Sequence, residues 1–206
     1  MASTESVSST SATKTSTKRG KSTSKNAKSK GSGGKAGGPT LVIVESPTKA
    51  RTIERFLAES GMNDRFIVDY CAGHVRDLPT STKDCDPELK KRQVLPELSL
   101  NVAHLGVDVP EGFRPLYVPM PGKKDVLKRL TGLAKECSSV LLATDEDREG
   151  EAISWHLLET LKLRVPHKRA VFHEITKQAI LEAFNNPRDI DLNLVHSQET
   201  RRILDR

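Results

Sequence analysis

The polar and apolar positions change abruptly at residue 41, where a polar stretch gives way to the run Leu41-Val-Ile-Val44. A short continuous apolar run is typical of a strand that is buried on both faces of a parallel sheet. Ser46 and Pro47 then form an N-cap and a first helical residue, so a helix is predicted to continue to about Glu59. The folded part of the chain therefore opens with a strand and a helix.

The same alternation continues towards the end of the chain. Ile153, Leu157 and Leu161 follow one another at helical spacing and predict a helix after the strand over 139–144. Strands that alternate with helices favour an α/β fold with a mainly parallel sheet flanked by helices. Residues 73–79 are predicted to form a loop, and residues 80–111 carry no assignable pattern. The other predicted elements are strands over 65–71, 113–118 and 170–172, and helices over 121–137, 176–185 and 192–206.

Residues 1–40 have a composition unlike that of the remainder. They consist mainly of Ser, Thr, Lys, Gly and Ala, and such a segment buries too little apolar surface to fold, so we predict a disordered basic tail. The tail carries a net charge of +7 and the whole chain +6, so residues 41–206 sum to −1. The tail could attract phosphates as a flexible arm or could be solvated without a role. The overall basic charge gives no reason to assign nucleic-acid binding to the folded part.

The cysteines and the apolar runs limit where the protein can act. Cys71, Cys85 and Cys137 are isolated, which argues against a zinc site or a disulfide framework and fits a reducing compartment. No apolar run is long enough to span a bilayer, and the N-terminus lacks the apolar segment of a secretory signal. We therefore expect a cytoplasmic protein with no membrane partner.

Four acidic residues follow two of the predicted strands. Asp145, Asp147 and Glu149 come after the strand over 139–144, and Glu45 ends the first strand. Ligands of open α/β sheets bind outside the carboxyl ends of strands, so neighbouring strands would bring these carboxylates to one crevice. A hard cation such as Mg²⁺ would offset their mutual repulsion. The alternative is a solvated acidic cluster that is favoured by a helix N-terminus.

Lys49 lies four residues beyond Glu45, at the start of the first predicted helix. At that position a lysine could reach a phosphate held at the helix start. As a single lysine it could equally be a surface charge.

Five segments of the chain form a recognisable set: Leu41–Ala50, Gly73–Pro79, Ala143–Ile153, His173–Thr176 and Gln198–Arg206. Taken together and in this order, they resemble the Toprim domain of type IA DNA topoisomerases. The loop over 73–79 and the stretch over 152–156 resemble bacterial topoisomerase I more than topoisomerase III or reverse gyrase. The resemblance implies a Toprim domain over 41–176 and the start of a helical DNA-binding domain over 177–206.

The resemblance also implies roles for particular residues. Glu45, Asp145 and Asp147 would hold Mg²⁺, and Glu45, Lys49 and Glu149 would form the catalytic part of the site. Without the resemblance, His74 would be a loop or core histidine, and Arg201 and Asp205 an ordinary helix ion pair. The DNA-binding residues that the resemblance implies are His74, Arg76, Arg201, Arg202 and Asp205.

The implied reaction is breakage, strand passage and rejoining of single-stranded DNA, which relaxes negative supercoils with Mg²⁺ and without ATP. Its nucleophile is a tyrosine, but Tyr70 and Tyr117 lie in strand-like contexts that do not match the nucleophile motif. We therefore interpret the chain as the N-terminal part of a monomeric enzyme, and we expect this part to be inactive by itself. The alternatives are another Toprim enzyme, such as a primase or a nuclease, and a stand-alone module that binds metal and nucleic acid.

Overall fold

The computed structural model describes residues 37–95 and 100–206. Residues 1–36 of the predicted tail lie outside the described residues, and the first strand begins at Thr40 rather than Leu41. The described strands are β1 (Thr40–Val44), β2 (Phe66–Tyr70), β3 (Arg76–Asp77), β4 (Gln93–Leu95), β5 (Leu100–Asn101), β6 (Val107–Asp108), β7 (Arg114–Pro115), β8 (Val118–Pro119), β9 (Ser139–Leu142) and β10 (His167–Arg169).

The helices agree closely with the helical periodicity of the sequence. Ser46 caps the first helix, with its side chain accepting a hydrogen bond from the backbone N–H of Lys49, and Pro47 is the first helical residue. A 3-10 turn covers Thr82–Asp84. The described helices are α1 (Pro47–Glu59), α2 (Pro87–Lys91), α3 (Val102–Leu105), α4 (Lys124–Glu136), α5 (Arg148–Leu161), α6 (Lys177–Asn185) and α7 (Leu192–Leu204).

A four-stranded parallel sheet in the order β10-β9-β1-β2 forms the centre of the molecule. Residues of β1 point alternately to its two faces, as the pleat of a strand requires. Leu41 and Ile43 join the core formed with α4 and α5, whereas Val42 and Val44 join the core formed with α1 and α6. This arrangement confirms the predicted α/β fold.

The last strand of the sheet lies at His167–Arg169, so the predicted strand over 170–172 was wrong. The prediction followed the apolar letters of Ala170-Val-Phe172, but β10 is an edge strand in which His167 and Lys168 are exposed. Its buried residue is Arg169, which has no exposed surface. A buried arginine needs charged and polar partners from elsewhere in the fold, and hydrophobic periodicity does not reveal them.

Residues 73–119 hold three short antiparallel pairs beside the main sheet. β3 pairs with β8, β4 with β5, and β6 with β7. The predicted strand over 113–118 is replaced by the two-residue strands β7 and β8, each of which contains a proline that cannot donate a ladder hydrogen bond. The predicted loop over 73–79 likewise contains the two-residue strand β3.

The last two helices lie in the same compact unit as the sheet. Ile180 and Phe184 of α6 enter the core against α1, and α7 packs along α5. The boundary at residues 176 and 177 stays a prediction. Among the helices of residues 37–95 and 100–206, none has the length and apolar content that a bilayer crossing requires.

Candidate functional site

The first acidic pair lies at the carboxyl ends of two neighbouring strands. β1 and β9 run parallel and side by side, as the prediction of a shared crevice required. Glu45 follows β1, and Asp145 stands on the loop that follows β9. The ammonium of Lys49 lies between them, 2.7 Å from Glu45 Oε1 and 2.6 Å from Asp145 Oδ1. One cation thereby joins the ends of two strands, and Lys49 lies 96 positions from Asp145 in the sequence.

Lys49 is a buried residue and not the surface charge that its position in the sequence also allowed. Only 6% of its side chain is exposed, and its ammonium lies 5.4 Å from the centre of the Phe172 ring. A buried ammonium needs anionic partners. Lys49 therefore offsets the repulsion between Glu45 and Asp145.

The other two predicted acidic residues point to different partners. Asp147 caps α5, with its Oδ1 accepting a hydrogen bond from the N–H of Gly150 at 2.7 Å. Glu149 accepts a hydrogen bond from His74 Nε2 at 3.1 Å and a longer one from Gln198 Nε2 at 3.4 Å. The four carboxylates therefore share one edge of the sheet but do not converge on a point.

The donor atoms nevertheless suit a hard divalent cation. Glu45, Asp145 and Asp147 offer only oxygen ligands, which Mg²⁺ prefers. Glu45 Oε2 is buried and has no hydrogen-bond partner among the described residues, an expensive state for a carboxylate oxygen. Within residues 37–95 and 100–206, no three acidic, histidine or cysteine side chains form a ready-made metal site. A cation would therefore require Lys49 or Asp147 to reorient.

Arg169 holds the backbone of the loop that follows β9 and carries Asp145 and Asp147, which we call the acidic loop. Sequence reasoning missed this residue. Its guanidinium donates to the carbonyl oxygens of Leu142 at 2.8 Å, Thr144 at 3.1 Å and Asp145 at 2.9 Å. This arginine is wholly buried, so a single buried side chain holds the loop after β9 in place. The only hint in the sequence was a basic residue beside an apolar run.

Glu151 is the buried counter-ion of this arginine. Its carboxylate accepts hydrogen bonds from Arg169 Nε at 3.1 Å, from Arg188 at 2.9 Å and from the N–H of Asp191 at 2.7 Å. Burial opposes ionisation, but the hydrogen bonds of Arg188 and Asp191 and the charge of Arg169 outweigh it and lower the pKa of Glu151. The last acid of the run over 145–151 is thus structural, a role that spacing alone did not separate from the others.

The predicted DNA-binding residues meet around one cavity. Its volume is about 240 Å³, and Glu149 and Gln198 also line it. The loop over 73–79 supplies one wall, and α7 supplies the other. The predicted residues on its lining are His74, Arg76, Arg201, Arg202 and Asp205.

An aromatic cluster fixes Arg76 at the edge of this cavity. Its guanidinium lies 4.8 Å from the Trp155 ring centre and 5.3 Å from that of Tyr117. Arg76 Nε donates to His156 Nδ1 at 2.7 Å. Burial, and then the charge of Arg76, lower the pKa of His156 to about 3, so this ring is neutral and can accept that hydrogen bond.

The three predicted residues of α7 differ in their contacts. Arg202 is held by Asp77 through two hydrogen bonds, so its charge is already paired. Arg201 and Asp205 both line the cavity. Within the part of the chain that the structure describes, they form no ion pair with each other. The cavity therefore keeps Arg201 as an exposed cation that is available to a phosphate.

Neither tyrosine is placed as a nucleophile. The ring of Tyr70 packs against the guanidinium of Arg129, and the ring of Tyr117 packs edge-on against His156 and Trp155. Burial raises the pKa of Tyr117, which makes its phenol harder to ionise. Both tyrosines therefore serve packing.

The sequence of residues 40–175 matches the family model of the Toprim domain. The chain belongs to the Toprim family. Two curated proteins named DNA topoisomerase 1 are similar to it: that of Mycolicibacterium smegmatis is 52% identical over 85% of the chain, and that of Synechococcus elongatus 53% identical over 82%. The chain spans only 17% and 18% of the length of these two relatives.

A solved structure gives the same result for the fold of the Toprim domain. Full-length topoisomerase I from Thermotoga maritima superposes with a TM-score of 0.62 at 37% sequence identity. The match covers 80% of this chain and 24% of that chain. The resemblance to bacterial type IA topoisomerases, inferred from the five sequence segments, is thereby confirmed.

Proposed function

We propose that this chain is the metal- and DNA-binding part of a type IA DNA topoisomerase that relaxes negatively supercoiled DNA with Mg²⁺ and without ATP. The tyrosine nucleophile would come from outside these 206 residues. The enzyme would act as a monomer in the cytoplasm on single-stranded segments of the chromosome. The relatives named DNA topoisomerase 1 support this proposal.

One contact carries the proposal. Glu149 belongs to the acidic run after β9, and its Oε2 accepts a hydrogen bond from His74, which lines the basic cavity. This contact supports our proposal that the carboxylates and the predicted DNA-binding residues belong to one continuous site. A site for breaking and rejoining DNA needs residues that bind the strand and groups that stabilise the charge at the phosphate.

Each carboxylate has a proposed role in this site. Glu45, Asp145 and Asp147 would hold the metal, whose positive charge would offset that of a backbone phosphate. Lys49, which already bridges Glu45 and Asp145, would lie where it can contact the same phosphate. Glu149 would hold His74 in the cavity so that its ring faces the bound strand.

The cavity is suited to a DNA backbone more than to stacked bases. Arg201 offers an exposed guanidinium, and arginines are frequent partners of phosphate oxygens. Aromatic residues make up only 4% of the chain, and the rings of Tyr117 and Trp155 beside the cavity already pack against Arg76 and His156, so stacking on bases contributes little. Phosphate contacts position a strand without reading its sequence.

Plasmid relaxation by the complete gene product tests the proposal. We expect Mg²⁺-dependent relaxation without ATP, and none from the 206-residue chain alone. Nucleotide incorporation or degradation of DNA would instead indicate a primase or nuclease. Single-strand binding without any relaxation by the complete product would indicate a stand-alone binding module.

A further inference from the structure

The segment that carries His74 begins with a disfavoured backbone turn. Ala72 and Gly73 have φ values of 57° and 84°, both in the left-handed region. A side chain disfavours this region, so Ala72 needs help from its surroundings, whereas glycine adopts it freely. A Cβ at Gly73 would meet no atom within 4 Å, so glycine is favoured here by its backbone conformation and not by a lack of space for a side chain.

The ammonium of Lys123 supplies that help. It donates to the carbonyl oxygens of Cys71 at 3.3 Å and Ala72 at 2.5 Å. These are the two carbonyls that lead into Gly73, whose own N–H donates to the carbonyl of Glu45 at 2.9 Å. The turn is therefore held on one side by the side chain of Lys123 and on the other by the backbone hydrogen bond to Glu45 at the end of β1.

Lys123 is itself held close to the opposite end of the same segment. The N–H of Met120 donates to the carbonyl of Val75 at 3.0 Å, and the N–H of Lys123 donates to the carbonyl of Met120 at 3.2 Å. Residues 120–123 thus contact the chain on both sides of His74. Met120 contacts the backbone of Val75, and the side chain of Lys123 contacts the carbonyl oxygens of residues 71 and 72.

We propose that Lys123 is a positioning residue, which holds the Ala72–Gly73 turn so that His74 meets Glu149 inside the cavity. The inference rests on the proposed function, because the purpose of this placement is contact between His74 and DNA. Lys123 would not touch the strand, and it would act on binding only through His74.

The experiment uses the 206-residue chain and a labelled single-stranded oligonucleotide. We compare Lys123→Ala with Lys124→Ala, because Lys124 is exposed, carries the same charge and makes no side-chain hydrogen bond or ion pair among the described residues. Lys123→Ala should weaken binding about five-fold more than the control, as expected for one lost interaction. Lys123→Arg, which keeps donors for both carbonyls, should bind nearly as the wild type does.

Combination with His74→Gln separates positioning from direct contact. If Lys123 acts through His74, then Lys123→Ala adds nothing to the loss caused by His74→Gln, whereas a direct DNA contact makes the two losses additive. Additive losses would overturn the proposal. Lys123→Gln replaces Lys123→Ala in the same cycle if the alanine variant does not fold.

The NMR signals of the His74 ring test the geometry without DNA. They should shift in Lys123→Ala and remain in place in Lys124→Ala. Unchanged signals in both variants would overturn the positioning role, whatever the affinity for DNA. If the signals shift but His74→Gln binds DNA normally, the proposed DNA contact of His74 fails and the placement of its ring by Lys123 stands.

Discussion

Arg202 and Asp77 are joined by two hydrogen bonds, of 2.7 Å from Nε to Oδ1 and 2.5 Å from Nη2 to Oδ2. The two residues are 125 positions apart, so this contact ties α7 to the segment that carries His74. A planar guanidinium that meets a carboxylate with two parallel bonds is stronger and more directional than a single contact. One half-buried ion pair therefore joins the two walls of the cavity.

This pair makes stability depend on pH in a definite direction. Burial would raise the pKa of Asp77, but the hydrogen bonds from Arg202 and the N–H of Leu78 outweigh it, and the pKa lies below its ordinary value. The folded state therefore binds this proton less readily than the unfolded state, so the pair stabilises the fold above about pH 4. That contribution is lost as the pH falls through the pKa of the folded state.

Replacement of Asp77 tests that account. Asp77→Asn should lower the free energy of unfolding by about 1–2 kcal/mol at pH 7. It should cost less near pH 3, which lies below the ordinary aspartate pKa of about 4, because the contribution of the pair shrinks as the pH falls towards the lowered pKa of the folded state. Thermal melts between the two pH values measure the difference. Asp64→Asn is the matched control, because Asp64 is exposed, and an equal loss in both variants would contradict the prediction.

The buried pair of Arg169 and Glu151 predicts a larger effect. Glu151→Gln leaves the guanidinium of Arg169 buried without its counter-ion and should cost about 3–5 kcal/mol in urea unfolding. The double variant Arg169→Met with Glu151→Leu should cost less than Arg169→Met and Glu151→Leu taken together, because it leaves no fully buried charge unpaired. Arg188, which also loses its carboxylate partner, is partly exposed. Losses that simply add would show that the two residues act independently.

The parts of the fold that sequence predicted are those specified by neighbouring residues. The apolar run of β1, the cap at Ser46 and the proline at position 47 lie next to one another, and they correctly placed α1. β10 was misplaced because the burial of Arg169 depends on Glu151 and on three backbone carbonyls at the end of β9 and in the loop that follows it. A residue whose burial depends on distant partners gives no local signal.

The acidic run shows the same limit within the site. Asp147 stands where a helix N-cap or a metal ligand would stand, and the structure uses it as the cap. Glu151 looks equivalent in spacing but is a buried counter-ion. Residue type and spacing therefore predicted which edge of the sheet carries these carboxylates, but not the direction in which each side chain points.

The proposed metal ligands can be tested without disrupting the fold. In Asp145→Asn with Asp147→Asn, asparagine still caps α5, since its side-chain oxygen accepts as aspartate does. We expect Mg²⁺ affinity, measured by calorimetry, to fall roughly ten-fold or more. Single-strand binding should change much less, and in the complete protein the resealing of DNA should suffer most.

Glu146→Gln is the control for that pair of substitutions. Glu146 lies between the two aspartates, and its carboxylate contacts the imidazole of His173 instead. Its replacement removes a charge from the same loop and should leave Mg²⁺ affinity nearly unchanged. Equal losses of Mg²⁺ affinity in both variants would mean that only the total charge of the loop matters, which would contradict the ligand assignment.

Gly150 allows a test of how tightly the acidic loop is folded back on α5. A Cβ at this position would lie 2.1 Å from the carbonyl oxygen of Asp145, a contact that neither backbone can avoid without moving. Gly150→Ala should therefore destabilise the fold by about 1–3 kcal/mol and displace Asp145 from Lys49.

Gly132 in α4 has open space around it, so Gly132→Ala should stabilise the fold by about 0.5–1 kcal/mol. Opposite shifts in melting temperature are expected for these two alanines. A Gly150→Ala variant as stable as the wild type would show that the loop does not need its close approach to the helix.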